Sequence, residues 1–316
     1  MFETLLPLIE KYNRIILHRH QNPDGDALGA QLGLYYLIKE NYPEKEVFAV
    51  GDMNRRYAFM TEGKEMDTVA DELYKDALAI VLDTSASALI SDDRYKTAAA
   101  SARIDHHIFC EKICETEITD TSFESCAGMI AALAKECGFR VPSAAAKALY
   151  TGMVTDSGRF RYDSTTAETF ALASFLMQTP FSTGDIYKNL YSDDLANVKL
   201  RAHFVSKIQV TEAGVGYIYT TKEEAEATGA DTFTISRGMV NTMSDIRGID
   251  TWVNFTETAD SVLCEIRSSL HNINPIAVKY GGGGHKKASG ATLKNKEEAM
   301  MLLEDLNKVN SEVPNE

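Results

Sequence analysis

No stretch of this sequence is hydrophobic enough for long enough to cross a bilayer. The longest aliphatic run, Ala77 to Leu82, is six residues, where a spanning helix needs about 20. The opening residues, Met1-Phe-Glu-Thr-Leu-Leu, carry no basic segment ahead of a long apolar one. No secretory signal is read there, and the expected compartment is the cytoplasm. Cysteine is scarce and irregular: five residues, at 110, 114, 126, 137 and 264, with no C-x-x-C pair. That pattern indicates neither a zinc knuckle nor a redox pair and points to reduced, mostly buried thiols. Positive charge is in deficit, 32 Lys and Arg against 46 Asp and Glu for a net −14. A protein that coats long nucleic acid draws its affinity from many cation–phosphate contacts, so this balance argues against one. A small phosphorylated molecule held by a few local cations remains compatible. Internal repeats and low-complexity tracts are absent from the sequence.

What is present is ordinary globular composition, 44% hydrophobic and 25% charged. The 316 residues suit two domains or one large one on the usual scale of about 100–200 residues each. An amphipathic helix is expected over 2–11. Apolar runs at 15–17, 47–50, 79–83 and 102–105 read as strands, with another over 113–118. Helical spacing is read over 26–40, 123–137 (with Ser122 as an N-cap), 142–153, 165–177 and 183–191. Such alternation implies an α/β fold with a mostly parallel sheet and helices on both faces. Ligands of such sheets gather beyond the carboxyl ends of the strands. Past residue 195 the pattern changes. A helix over 195–206 precedes a hairpin around Ala213-Gly214, helices near 222–228 and 236–246, and strands over 250–256 and 261–267. A glycine-rich turn at 281–284 and a last helix over 295–308 follow. This half reads as a smaller α/β domain with a mixed sheet. The tail from Ser311 to Glu316 is polar and expected to fray.

The stretch from Ile15 to Ala30 organises the rest. An apolar strand breaks into a turn carrying His20, Asp24 and Asp26, made tight by Pro23 and Gly25, before helical spacing resumes. Two carboxylates two residues apart repel one another, and a bound cation is one remedy. An Asx-rich turn that only caps the helix is the other reading. His18 shares the strand and, by alternation, the face of His20, but lies deeper in the sheet and reads as structural.

More acids and imidazoles stand at comparable places. Asp83 closes one buried strand, Asp105-His106-His107 closes another, and Thr155-Asp156-Ser157-Gly158 follows the apolar segment Leu149 to Val154. Gathered at one edge of the sheet, so many negative charges need neutralising, and two cations would do it. Mixed carboxylate and imidazole ligation suits Mn²⁺ better than Mg²⁺ or Ca²⁺. A pair of such ions is a standard apparatus for phosphoester hydrolysis.

Together these segments resemble the motifs of the DHH phosphoesterase family. Asp105-His106-His107 resembles its signature, the stretch His20 to Asp26 its first motif, Val81-Leu82-Asp83 its second, and Thr155 to Gly158 its fourth. Gly281-Gly-Gly-Gly-His-Lys-Lys-Ala-Ser-Gly-Ala291 is similar to the GGGH motif of the associated DHHA1 domain. Size and spacing are closest to the oligoribonuclease/pAp-phosphatase (nanoRNase) type. Two departures stand out: Ala30 where the family often has Ser, and Ser157 where Thr is usual. Neither removes a ligand.

The resemblance implies a DHH catalytic domain over 1–194, a helical linker over 195–206 and a DHHA1 substrate-binding domain over 207–316, with the active site in the cleft between them. It implies that His20 and Asp24 hold one ion, that Asp26, His106 and Asp156 hold the second, and that Asp83 bridges both. Asp105 would orient a neighbouring imidazole, and His107 would face the scissile phosphate. Gly282, Gly283 and Gly284 allow backbone N–H groups to approach an anion, with His285 and Lys286 beside them. Arg267 is the candidate for a terminal phosphate or a stacked base. Arg161 either reaches a phosphate or pairs at the surface.

The expected activity is Mn²⁺-dependent hydrolysis of very short oligonucleotides to mononucleotides, with 3′-phosphoadenosine 5′-phosphate (pAp) to AMP as a further reaction. Rival readings are a cyclic-dinucleotide or linear-dinucleotide phosphodiesterase, an exopolyphosphatase, and a non-catalytic nucleotide sensor. Expected partners are a short oligonucleotide or small nucleotide, with neither long nucleic acid nor membrane; a homodimer is left open.

Overall fold

The computed structural model describes residues 1–311; the tail beyond, part of the segment expected to fray, lies outside the described residues. Backbone contacts divide the chain into a first unit, Met1–Ser192, and a second that begins at Asp193. Among the described residues no helix is long and apolar enough to cross a membrane.

In the first unit, α1 (Leu6–Lys11) leads into β1 (Arg14–Arg19), α2 (Gly25–Asn41) and β2 (Glu46–Ala49). Then come β3 (Ala77–Leu82), β4 (Ala100–Asp105) and β5 (Thr116–Thr119). The strands form one five-stranded sheet in the order β2-β1-β3-β4-β5, parallel throughout. β3 is buried at every position, as the central strand of a sheet covered on both faces must be. α3 (Cys126–Glu136), α4 (Ser143–Asp156), α5 (Ala167–Leu176) and α6 (Thr183–Tyr191) complete the unit.

The two faces are covered differently. Ile15, Leu17, Leu78, Ile80 and Ile104 pack under the long helices. Ile16, Ala79 and Val81 point the other way, against short 3₁₀ turns at Asp71–Asp76 and Asp93–Thr97 that bring Tyr74 and Tyr95. His18 is fully buried on that second face, its ring 5.7 Å from that of Tyr74.

Helix starts follow local chemistry. Asp24 caps α2, its carboxylate accepting from the N–H groups of Asp26 and Ala27. Ser125, not Ser122, caps α3, because Ser122 is held in a turn by Asp120 through both its N–H and its hydroxyl. α2 and α4 cross closely at glycines: a Cβ on Gly29 would lie 2.7 Å from the Ala148 carbonyl oxygen.

The second unit begins with α7 (Leu195–Ser206). β6 (Gln209–Val210) and β7 (Val215–Thr220) form the expected hairpin, followed by α8 (Lys222–Thr228), β8 (Thr251–Glu257) and β9 (Val262–Ser268). α9 (Asn274–Lys279), β10 (Gly283–His285), β11 (Ala288–Leu293) and α10 (Lys296–Ser311) close it. The six-stranded sheet runs β10-β11-β9-β8-β7-β6 and is mixed, only the β7–β8 pair being parallel. One face carries α10 over Val253, Phe255 and Ile266; the other carries Phe204, Ile235 and Met243 over Ile218 and Trp252.

Two expectations are corrected here. The helix expected at 236–246 is present but irregular and lies earlier, a continuous helical run over 232–243 with a π-helical middle, Thr234–Gly238, and a 3₁₀ end, Asn241–Met243. The buried Asn254 amide donates to the carbonyls of Ile235 and Ser236, which a regular helix would have used internally. The glycine-rich turn at 281–284 is partly strand: Gly283 to His285 pair with β11 at the sheet edge.

Candidate metal centre

Four segments of the first unit deliver their polar groups to one place. His20 and Asp24 lie on the β1–α2 turn, Asp26 in the first turn of α2, Asp83 just past β3, His106 and His107 just past β4, and Asp156 at the last turn of α4. Asp156 therefore arrives from a helix rather than from a strand end. Asp83 has φ +50, unusual for a residue with a side chain, and its carboxylate is buried.

Asp83 is the hub. Its Oδ2 is 3.6 Å from His20 Nε2, and its Oδ1 is 3.5 Å from His106 Nε2. His20 Nε2 also lies 3.9 Å from Asp24, while His106 Nε2 lies 3.8 Å from Asp26 and 3.5 Å from Asp156. The ligand atoms of His20, Asp24 and Asp83 all lie within 4.8 Å of one another, as do those of Asp26, His106 and Asp156, and those of Asp83, His106 and His107.

Hydrogen bonds fix the rings. Nδ1 of His20 is 2.8 Å from the Gln21 carbonyl, and Nδ1 of His106 is 3.3 Å from that of Phe123. A carbonyl only accepts, so Nδ1 carries the proton in both rings and Nε2 turns to the acids. His107 is held differently: its Nδ1 donates to Asp105 Oδ1 at 2.7 Å, and Asp105 is fully buried. Asp26 accepts from the N–H groups of Cys126 and Ala127 at 2.7 and 2.8 Å, so its carboxylate sits on the N-terminus of α3.

Titration behaviour reports the crowding. Burial opposes charge on His20, yet Asp83, the Gln21 carbonyl and Asp24 outweigh it and lift the imidazole to about 9. Burial likewise opposes charge on His106, and Asp83, Asp26 and Asp156 raise it to about 10. Burial, with Asp83 and Asp24 adding and His106 opposing, pushes Asp156 up to about 6. Burial and the charges of Asp83 and Asp156 push Asp26 well above the usual carboxylate range. Asp83 goes the other way: its burial is outweighed by His106 and His20, which hold it below that range. The acids are thus balanced by protons on the imidazoles.

A divalent cation fits this donor set better than protons do. Asp83 Oδ1 is a buried atom with no hydrogen-bond partner, which is costly unless something charged meets it. The imidazoles of His20 and His106 converge with the carboxylates of Asp24, Asp26, Asp83 and Asp156. His20, Asp24 and Asp83 would hold one ion, and Asp26, His106 and Asp156 with Asp83 a second.

The chain matches known families over most of its length. Residues 14–153 match the model of the DHH family, N-terminal domain, and residues 222–312 that of the DHHA1 domain. The chain belongs to the DHH phosphoesterase family. It is 38% identical over 97% of its length to the bifunctional oligoribonuclease and PAP phosphatase NrnA of Bacillus subtilis (strain 168), of which the match covers 97%. It is 33% identical to the protein of the same name from Mycoplasma genitalium, over 94% of each chain. Its fold superposes on an exopolyphosphatase-related protein from Bacteroides fragilis with TM-score 0.83 at 25% identity, covering 97% of this chain and 95% of that one.

The substrate-binding candidates of this DHH protein divide. In the second unit Arg267, Gly282, Gly283, Gly284 and His285 line one cavity of about 970 Å³. Lys286 sits at the β10–β11 tip and does not line it. Glycine at 282 and 284 is required by packing: a Cβ at 282 would meet the Gly290 carbonyl at 2.0 Å, and one at 284, where φ is +133, would meet that of Ala288 at 2.6 Å. Gly281 and Gly283 open onto free space. The Arg267 guanidinium is already bonded to Glu265 and to the Ile266 carbonyl, and an exposed aromatic, Phe233, lines the same cavity. Arg161 lies exposed past α4.

The sequence reading missed the supports of the centre. Arg103, fully buried, bonds Glu117 through Nε and the Thr84 carbonyl through Nη1, and stands 3.8 Å from Asp105 Oδ2. Arg19, equally buried, ties Gln31, the His20 carbonyl and Asp52 together. Asp52 in turn accepts from the Asn22 N–H at 2.8 Å. Arg19 adjoins His20, and Arg103 stands two residues before Asp105 in β4, but nothing in the sequence marks either as buried.

Proposed function

We propose that this protein is a Mn²⁺-dependent hydrolase that cleaves very short oligonucleotides to mononucleotides and pAp to AMP. The reading is carried by one observation: the two oxygens of Asp83 face two different imidazoles, His20 and His106, each set among its own acids. That is the arrangement a carboxylate shared by two ions requires. The assignment of short oligonucleotides and pAp draws on the relatives named for those activities.

When bound, the two ions would supply charge to stabilise the phosphoryl oxygens and a water of lowered pKa. The protein's own contribution is positional. Asp24 and Asp26 are held by N–H groups at the starts of α2 and α3, so neither must reorganise to meet a cation. His107, with Nδ1 bonded to Asp105, is left with Nε2 to meet the phosphate or to give a proton to the leaving oxygen. It lines a small cavity with His20, Asp24, Asp83 and Asp156. In the second unit the cavity bearing Phe233 and Gly283 suits a nucleobase stacked beside backbone N–H groups. A base-sized aromatic wall serves a nucleotide and is of no use to polyphosphate.

The test is a purified-protein screen with Mn²⁺ over dinucleotides, pAp, a cyclic dinucleotide and polyphosphate. The highest kcat/KM is expected on dinucleotides and pAp. No turnover of any phosphoester would favour the sensor reading, and preference for polyphosphate or the cyclic dinucleotide would reassign the substrate.

A further inference from the structure

Two guanidinium groups come together at the last turn of α6, and neither has an acid to balance it. Arg159 follows Asp156 by three residues, and its guanidinium lies over the Tyr191 ring, 4.7 Å from the centroid. Arg56 comes from a different segment, and its Nη2 donates to the carbonyl of the neighbouring Leu190 at 3.2 Å. Both charges are felt at the Tyr191 hydroxyl. Among the described residues no carboxylate lies within ion-pair distance of either arginine, although the chain carries a net −14. Arg56 lies over a ring of its own, that of Tyr57 at 5.8 Å, but two exposed arginines meeting at one helix end without a carboxylate, in so acidic a protein, are what an anion-binding surface needs.

Both arginines are also tied to the segments that carry the ligands. Arg56 begins its turn from Asn54, whose side-chain amide donates to the Pro23 carbonyl at 3.0 Å, one residue before Asp24. Next to it, Tyr57 is buried, with its hydroxyl facing Gly25 and feeling Asp24. Arg159 sits in a run of three left-handed residues, Gly158, Arg159 and Phe160, with φ of +58, +66 and +61. Such a run is costly for residues with side chains, about 1–3 kcal/mol each. It is fastened by the Ser157 hydroxyl, which accepts from the Phe160 N–H at 2.9 Å and donates to the Met153 carbonyl. The chain thus turns back at once after Asp156 and carries Arg159 three residues beyond it.

We propose that Arg56, Arg159 and the Tyr191 ring form a subsite for a second phosphate of the substrate, the one separated from the scissile phosphorus by a single nucleoside. The chemistry accounts for two substrates at once. In pAp the 5′-phosphate stands one ribose from the 3′-phosphate that leaves; in a 5′-phosphorylated dinucleotide the terminal phosphate stands one nucleoside from the internal diester. One guanidinium pair therefore reads both. The inference rests on the hydrolase reading for its substrates, and the binding measurement below tests it separately.

The experiment compares diadenylate bearing a 5′-phosphate with diadenylate bearing a 5′-hydroxyl, with Mn²⁺, for the wild type, Arg56→Gln and Arg159→Gln. Arg140→Gln, an exposed arginine paired with Glu40, controls for loss of a positive charge. The wild type is expected to favour the phosphorylated substrate, and either subsite variant to reduce that ratio of kcat/KM ten- to a hundred-fold, mainly through KM. Arg159→Lys should restore part of it, and Arg140→Gln should leave the ratio alone. A purely structural role would lower kcat/KM on both substrates alike, and that result, or an unchanged ratio, overturns the proposal. Should the wild type hydrolyse neither, the hydrolase reading fails by itself. The subsite is then judged by calorimetric binding of pAp and of adenosine 3′-monophosphate with Mn²⁺ present. Weakening of pAp alone in the variants upholds it, and equal or no weakening overturns it.

Discussion

Nδ1 of His107 donates a 2.7 Å hydrogen bond to Oδ1 of Asp105, and Asp105 is fully buried whereas the His107 side chain is 46% exposed. The acid anchors and the imidazole reaches out. That bond is also the largest cause of the raised pKa of His107. Replacing the acid by its amide, Asp105→Asn, keeps the shape but lets an N–H meet Nδ1, so the ring proton moves to Nε2. We expect kcat to fall about 10–100-fold, the range for losing such an orienting partner, with KM changed much less. Steady-state kinetics with Mn²⁺ checks this, and the His107 titration by NMR should move back towards the ordinary imidazole value. An unchanged kcat would remove His107 from the chemistry.

Cations that bind only the folded protein must stabilise it. At a hundred times the dissociation constant the gain is about 2.7 kcal/mol. Adding Mn²⁺ to the metal-free protein should therefore raise Tm by several degrees. Asp83→Asn removes the carboxylate facing both His20 and His106, so the rise should vanish along with turnover while the fold persists. A variant that keeps the full Mn²⁺ shift would deny Asp83 its bridging place.

Protons now do the balancing that cations would do. With His20 at about 9 and His106 at about 10, both imidazoles are charged at pH 7, whereas a ligating imidazole must be neutral. Stability contributed by these charges is present below the ordinary value of 6.5 and is lost as pH rises through 9 to 10. Loading both ions at pH 7 should accordingly release about two protons, and apparent affinity should climb as pH rises towards 9. Titration calorimetry in two buffers of different ionisation enthalpy measures the number. Zero proton release would mean that neither imidazole is a ligand.

How much of this was legible beforehand depended on distance along the chain. The β1–α2 turn, Asp83 closing β3 and the pair after β4 each announce themselves, because an acid or imidazole ending an apolar run has few other reasons to be there. The parallel sheet follows from the same alternation. Arg19 and Arg103 were illegible: a buried guanidinium looks like a surface residue until Asp52 and Glu117, 33 and 14 positions away, are known to meet it. Arg159 was hidden for another reason. Its backbone is left-handed, which no spacing rule anticipates for an arginine. In the second unit the apolar spacing at 236–246 reads as helix, and the helix is present but irregular, because Asn254 diverts two of the carbonyls a regular one would use.

His18 carries a separate liability. It is fully buried, neither ring nitrogen has a hydrogen-bond partner, and burial lowers it to about 4, the charge of Asp92 opposing only in part. Between the unfolded value of 6.5 and the folded value of about 4, the unfolded chain binds a proton that the folded one refuses. Stability therefore falls as pH falls through that window, by about 3 kcal/mol once it is fully crossed. His18→Leu removes the penalty. Relative to the wild type, the variant should gain about 2–3 kcal/mol on going from pH 7 to pH 4.5. Urea unfolding midpoints at the two pH values decide it; parallel losses in both proteins would contradict a neutral buried imidazole.

The last prediction joins packing to the centre through a single hydrogen atom. A Cβ placed on Gly152 of α4 would stand 2.5 Å from the Ala127 Cβ of α3 and 3.0 Å from Oδ1 of Asp26. Alanine in a helix interior is ordinarily worth about 1 kcal/mol over glycine. Here the methyl group must push α3 away, and overpacking of that kind costs about 1–3 kcal/mol. The Ala127 N–H is one of the two that hold Asp26, so α3 cannot retreat without loosening a proposed ligand. Gly152→Ala should thus lower Tm by a few degrees and weaken Mn²⁺ binding at once. Gly184→Ala in α6, where the nearest atom to a new Cβ is the Ser182 hydroxyl at 3.8 Å, should do the reverse and stabilise by about 0.5–1 kcal/mol without touching Mn²⁺ affinity. Calorimetric melting and Mn²⁺ titration of the two variants side by side separate helix propensity from the crossing. If Gly152→Ala gained stability as Gly184→Ala is expected to, the α3–α4 contact would not be what positions Asp26.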